Sequence, residues 1–161
     1  MGETNLTHVD ESGAARMVDV SAKDVSARRA TAAGRLRTTA EVIDLLRRDG
    51  LPKGDALAVA RIAGIMGAKK TPDIVPLCHP IALTGVTVDF ALGKTTVEIT
   101  AVTRTADRTG VEMEALTAVA AAGLALVDMV KAVDPAASIT DIRVLRKEGG
   151  KTGLWTREDE Q

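Results

Sequence analysis

An acid and a base, Asp128 and Lys131, interrupt a stretch from Met113 to Val133 that is otherwise small or apolar apart from Glu114 and Thr117. At about 100° per residue these four polar side chains fall within one broad stripe of a helix. Asp128 and Lys131, one helical turn apart, are surface neighbours. On an otherwise buried helix the pair reads in two ways. It is a structural ion pair, which costs about 3–5 kcal/mol to break when buried, or a polarised acid–base pair at a pocket, where perturbed pKa values gather. At the other end of the same stretch, Thr109 and Glu112 have the spacing of a capping box, which accounts for Glu112 without chemistry. Glu114 has no such explanation, although a solvated first turn also suits a carboxylate. Glu112 and Glu114 point to different sides of a helix and do not form a paired-carboxylate site.

His79 follows Cys78 in TPDIVPLCHP, where Pro72, Pro76 and Pro80 favour an extended chain. Neighbours on an extended chain face opposite ways, so Cys78 and His79 make a poor nucleophile–base couple. They also make a poor metal site, since no further ligands stand at a recognisable spacing. His79 then reads as a general acid–base or phosphate-contacting residue, or as a hydrogen-bonded structural histidine. His8 carries a weaker signal. Lys53 lies just before a helix start at Asp55, where backbone N–H groups attract anions. With Arg28, Arg29, Lys69, Lys70 and Lys131 it supplies enough cations for a polyphosphate. The tail KEGGKTG (147–153) has the composition of a phosphate-holding flap, but lacks the glycine-to-lysine spacing of a P-loop, which excludes an NTPase reading.

The elements that must position these residues follow from periodicity and punctuation. Ala27–Arg37 reads as an irregular strand; if it runs without a bulge, Arg29, Arg35 and Arg37 share a face. Thr38 with Glu41 forms a second capping box, starting a helix that runs to about Arg48 and stops at Gly50. Asp55 caps a second helix over Ala56–Ala68, apolar nearly all round and therefore expected to be buried. Alternation at Val86, Val88, Phe90 and Leu92, and again at Val97, Ile99 and Ala101, gives two strands joined by a Gly93-Lys94 turn. The longest helix spans Gly110 to about Val133 and ends before Asp134-Pro135. A last strand covers Ile139–Arg146. This order predicts a single α+β domain, a mostly antiparallel sheet packed on helices. The arm at 1–15 and the tail at 154–161 are expected to lack fixed structure.

The chain of 161 residues is 45% hydrophobic and 27% charged, with a formal net charge of -1. Such a balance, with one Trp, one Phe and no Tyr, argues against a nucleic-acid binder, whose affinity comes largely from a basic face and stacking platforms. A single cysteine excludes an intrachain disulfide. The acidic first twenty residues do not read as a signal peptide. The nearest approach to a membrane span, Ala115 to Val127, is too short and ends at Asp128. The expected location is cytoplasmic. Alanine and glycine dominate the apolar residues, and small side chains bury little area each, so self-association is expected to add to the core.

Six segments, MVDVSAK (17–23), KGDALAVARIAGI (53–65), PLCHPI (76–81), TGVEMEALTA (109–118), DMVKAV (128–133) and GGKTG (149–153), closely resemble the MoaC family, the cyclic pyranopterin monophosphate synthases of molybdenum cofactor biosynthesis. The resemblance runs from Leu6 to about Gly153, with Thr152 where serine is expected. It implies a lyase of ferredoxin-like α+β fold, assembled as a homohexamer built from dimers with sites shared between subunits. The implied reaction converts 3′,8-cyclo-7,8-dihydroguanosine 5′-triphosphate to cyclic pyranopterin monophosphate and diphosphate. No redox cofactor is implied, and Mg²⁺ would enter only with the triphosphate. Carried over by position, the acid–base residue is Asp128, with Lys131 beside it and Lys53 opposite. Leu77, Cys78 and His79, together with Glu112, Met113 and Glu114, match substrate-contacting segments; Arg28 or Arg29, and Lys147, match phosphate contacts. The competing readings are a nucleotide- or phosphate-binding module without turnover and a structural subunit of a partner enzyme.

Overall fold

A computed structural model describes residues 7–158. Strand β1 (Ser26–Arg37) is followed by helices α1 (Ala40–Arg47), α2 (Ala56–Lys69) and the single turn α3 (Thr71–Ile74). Strands β2 (Leu83–Leu92) and β3 (Thr96–Asp107), helix α4 (Glu112–Val130), β4 (Ser138–Glu148) and the short β5 (Trp155–Thr156) complete the chain. The sheet order is β2-β3-β1-β4-β5, and every neighbouring pair is antiparallel. Without β5 this is the ferredoxin-like arrangement, an α+β fold in which β1 and β3 occupy the centre.

One face of the sheet carries the helices. Along β1, Ala30, Ala32 and Leu36 are buried, and they pair across to Thr103, Ala101 and Val97 of β3. Small residues there let α4 sit close: a Cβ on Gly34 would meet Val119 at 2.6 Å. α4 in turn packs on α2 through Gly64, Ala118 and Ala122. α4 is long and apolar enough to cross a membrane, with mean hydropathy 1.7. Its Ala115, Ala118, Val119, Ala122 and Leu126 are buried in the core instead. The opposite face holds Arg29, Arg35 and Arg37, which pair with Glu148, Glu98 and Asp141. They share a face as expected. β1 is regular against β3, and the register shifts against β4 arise from extra residues on the β4 side, where Asp141 has a φ of 60°.

Several local expectations are corrected. Thr38 does not cap α1: its N–H bonds the Thr95 carbonyl in the turn before β3 and its hydroxyl donates to Asp134 at 2.8 Å. Thr39 caps instead, accepting from the Val42 N–H. Asp55 does cap α2, accepting from the Ala58 N–H at 3.0 Å. α2 is not buried all round: Val59, Ile62 and Met66 are exposed while Ala56, Ala60, Gly64 and Ala68 are covered. The segment after Lys70 begins as a helical turn, since Pro72 falls in the first turn, where a missing N–H costs nothing. At the termini, residues 7–16 form a small hairpin, with Val9 bridging Ala15 and Arg16 N–H bonding His8. The tail returns to the sheet as β5. The remainder of both termini lies outside the described residues.

Candidate active site

Lys53, at the entrance to α2, places its ammonium 2.8 Å from one oxygen of Asp128, and Lys131 places its own 2.7 Å from the other. Asp128 lies near the C-terminal end of α4, and the α2–α4 packing brings Lys53 across to it. All three side chains are about half exposed, which corrects the expectation of a buried pair. Hydrogen bonds from Lys131 and Lys53 hold the Asp128 carboxyl down to a pKa of about 2. The group stays ionised across the physiological range and anchors two ammonium groups, leaving one net positive charge on a solvent-facing surface.

A cavity of about 250 Å³ opens at the other end of α4. Val18, Val20, Leu77, Ile81 and Met113 give it apolar walls, and Lys23, Cys78, His79 and Glu114 supply its polar groups. A turn between Val75 and Cys78 breaks the extended run, so Cys78 and His79 line the same cavity rather than opposite sides. The His79 Nε2–H donates to the Val18 carbonyl at 2.6 Å, which leaves Nδ1 as the lone-pair nitrogen of the neutral ring. Burial raises the Cys78 thiol pKa, and the charges of Glu114 and Glu112 raise it further; a thiol so held is a weak nucleophile.

Glu114 is not in a solvated turn. It is 3% exposed, and its Oε2 is buried without a hydrogen-bond partner. Burial pushes its carboxyl up to about 7, with Glu112 adding to the rise. A carboxyl near neutrality can donate a proton as well as accept one. Glu112 is not part of a capping box either. Val111 holds the N-cap position without a side-chain bond, and Thr109 turns its hydroxyl to the Gly110 carbonyl. Glu112 reaches Lys147 at 3.4 Å instead, and its carboxylate fills the space a Cβ on Gly110 would need.

A second, narrower cleft adjoins the cavity at Gly110, bounded by Arg28, Arg29, Lys147, Glu148, Gly149 and Thr152. Arg28 donates to the carbonyls of Asp107 and Arg108. Arg29 pairs with Glu148 at 3.8 Å on the open face of the sheet. The flap glycines lie over Arg28, since a Cβ on Gly150 would collide with its guanidinium. Cations here are held by carbonyls and carboxylates that a phosphate could displace.

Cavity and cleft thus gather Leu77, Cys78, His79, Glu112, Met113, Glu114, Arg28, Arg29 and Lys147. The Lys53–Asp128–Lys131 cluster stands apart: fourteen residues of α4 separate Glu114 from Asp128, about 20 Å at 1.5 Å per residue. Sequence reasoning missed the arm as a wall, because Thr7 and His8 line the cavity. Lys23 lies within MVDVSAK (17–23), yet no local pattern marks it as a wall residue. Among the described residues, no group of three or more His, Cys, Asp or Glu side chains gathers to hold a metal ion.

Comparison with known proteins identifies the family. Residues 17–150 match the model of the MoaC family. The chain is 64% identical to the cyclic pyranopterin monophosphate synthase of Streptomyces coelicolor over 155 residues, 96% of this chain and 91% of the relative. It is 64% identical to cyclic pyranopterin monophosphate synthase 2 of Mycobacterium bovis over 152 residues, 94% and 91% of the two chains. Identity to the enzyme of Parvibaculum lavamentivorans is 56%, over 95% of this chain and 97% of that one. With a family match over residues 17–150 and relatives aligned over nearly the whole chain, the chain belongs to the MoaC family.

Proposed function

We infer that this chain is a lyase of molybdenum cofactor biosynthesis, a cyclic pyranopterin monophosphate synthase. Its substrate is 3′,8-cyclo-7,8-dihydroguanosine 5′-triphosphate and its products are cyclic pyranopterin monophosphate and diphosphate. The observation that carries the reading is a pair of adjoining compartments, one apolar-walled with Glu114 and His79, the other cationic with Arg28 and Lys147. A flat heterocycle suits the first and a phosphate chain the second. Ring opening, ring closure and loss of diphosphate involve no net electron transfer, so the reaction calls for proton donors and acceptors rather than a redox cofactor. Mg²⁺ enters only as the companion of the triphosphate. The reaction belongs in the cytoplasm, where nucleoside triphosphates are made.

Lys53 and Lys131 protonate or orient leaving groups while Asp128 keeps their charges in place. These three reach the substrate only if a second copy of the chain brings its cluster to the cavity of the first. The 20 Å separation within one chain supports that sharing, as do the exposed Val59, Ile62, Met66 and Leu124 on the helical face. A homohexamer built from dimers meets both demands. The test is a turnover assay with the cyclised GTP derivative, following pterin product and diphosphate by mass spectrometry. Equal amounts of both are expected, with Asp128→Asn or Lys131→Ala slower by at least about 10²–10⁴-fold yet folded. Tight binding without product would leave a phosphate-binding module.

A further inference from the structure

The chain beyond residue 150, where the family match ends, makes its own contribution to the cationic cleft. After β4 it turns through Gly149, Gly150 and Gly153, with φ values of 93°, 72° and 68°, and returns as β5. Trp155 pairs with Lys147 and Thr156 with Arg146. Arg157 then ties the end down: its N–H donates to Leu145 at 2.8 Å and its Nε–H to Val144 at 2.7 Å. Its guanidinium lies 5.8 Å from the centre of the Trp155 ring. The pair therefore staples the far end of the flap to the edge of the sheet, directly against the strand residue that carries the Lys147 ammonium.

We propose that Trp155 and Arg157 are positioning residues for phosphate binding, which hold Lys147 and the glycine flap over Arg28 before substrate arrives. This rests on the reading that the cleft takes the substrate's phosphates. A glycine-rich loop loses more backbone freedom on ordering than any other. Ordering it in the free protein removes that cost from the binding step. The staple lies on the sheet edge, with Trp155 37% and Leu154 61% exposed, so its removal spares the core.

The experiment measures the affinity of inorganic diphosphate for the full-length chain by calorimetry, beside KM and kcat for the cyclised nucleotide. Trp155→Ala and Arg157→Ala are expected to weaken diphosphate binding about tenfold, a loss of roughly 1.4 kcal/mol. KM should rise in parallel while kcat stays within about twofold. Trp155→Phe, which keeps a ring for the guanidinium, should restore most of the affinity. Unchanged diphosphate affinity in folded Trp155→Ala and Arg157→Ala, or no diphosphate binding by the unaltered chain, overturns the proposal. Should Trp155→Ala fail to fold, Arg157→Ala decides alone, since it leaves the ring in place. If diphosphate binds and responds to the staple but no pterin forms, the assigned reaction fails while the staple stands.

Discussion

Glu114 and Asp128 sit on one helix and have been driven in opposite directions by their surroundings. Asp128 accepts from two ammonium groups in solvent and is held at about 2; Glu114 is buried with an unpaired oxygen and rises to about 7. A pair of carboxyl groups separated in this way divides the labour between a permanent anion and a titrating acid. The cost of Glu114 is visible in stability. Its folded pKa lies above the ordinary 4.5, so the penalty is absent below pH 4.5, grows through pH 7 and is constant above. Glu114→Gln removes that dependence. The variant is expected to lose less stability than the parent between pH 5 and pH 8, by up to about 3 kcal/mol. Denaturant melts at both pH values check this, and parallel pH curves for the two proteins would mean that Glu114 titrates normally.

At the scale of elements, the close approach of α2 and α4 decides where Lys53 stands. A Cβ on Gly64 would lie 3.0 Å from the Ala118 carbonyl oxygen and 2.9 Å from a methyl of Val88. Neither the backbone nor a fully buried valine yields easily. Alanine has the better helix propensity by about 1 kcal/mol, yet Gly64→Ala is expected to destabilise by about 1–3 kcal/mol through overpacking. It should also weaken the Lys53–Asp128 contact by pushing the helices apart. Thermal melts test the first effect. The second appears in the Asp128 carboxyl titration, followed by NMR, whose midpoint should move up from about 2 toward the ordinary aspartate range. A melting temperature at or above the parent's would show that the helices have room.

At the scale of the molecule, the proposed shared site joins the cluster at one end of α4 to the cavity at the other end of α4 in a partner copy. Two inactive variants, His79→Ala and Lys131→Ala, should therefore rescue one another when co-expressed. In a randomly mixed symmetric dimer, roughly a quarter of shared sites would have both residues intact. Activity near that fraction of the parent's is expected, whereas activity no greater than the separate variants would place each site within one chain. Leu124→Glu, on the exposed apolar face of α4, should lower the mass seen by sedimentation and the turnover together.

Much of this was legible from neighbouring residues. The β2–β3 hairpin, the Asp55 cap, the strand over 27–37 and the long helix all follow from patterns that a few consecutive residues carry, because side-chain period and turn chemistry are local. The family segments likewise carry much of both compartments, whereas the cleft cations Arg28, Arg29 and Lys147 lie outside them. Tertiary structure decided what those residues became. Thr38 was taken from its capping role by Asp134, ninety-six positions away, and Glu112 from its own by Lys147. The tail gained order only because β4 offered it a free edge. Burial pushed the Glu114 carboxyl up, since the cavity wall closes over its side of the first turn of α4, whereas Asp128 stays half exposed near the other end and is held down by two lysines. A sequence specifies which groups are present and how its segments curl; which charges meet, and which lose their solvent, depends on contacts between segments that are distant along the chain.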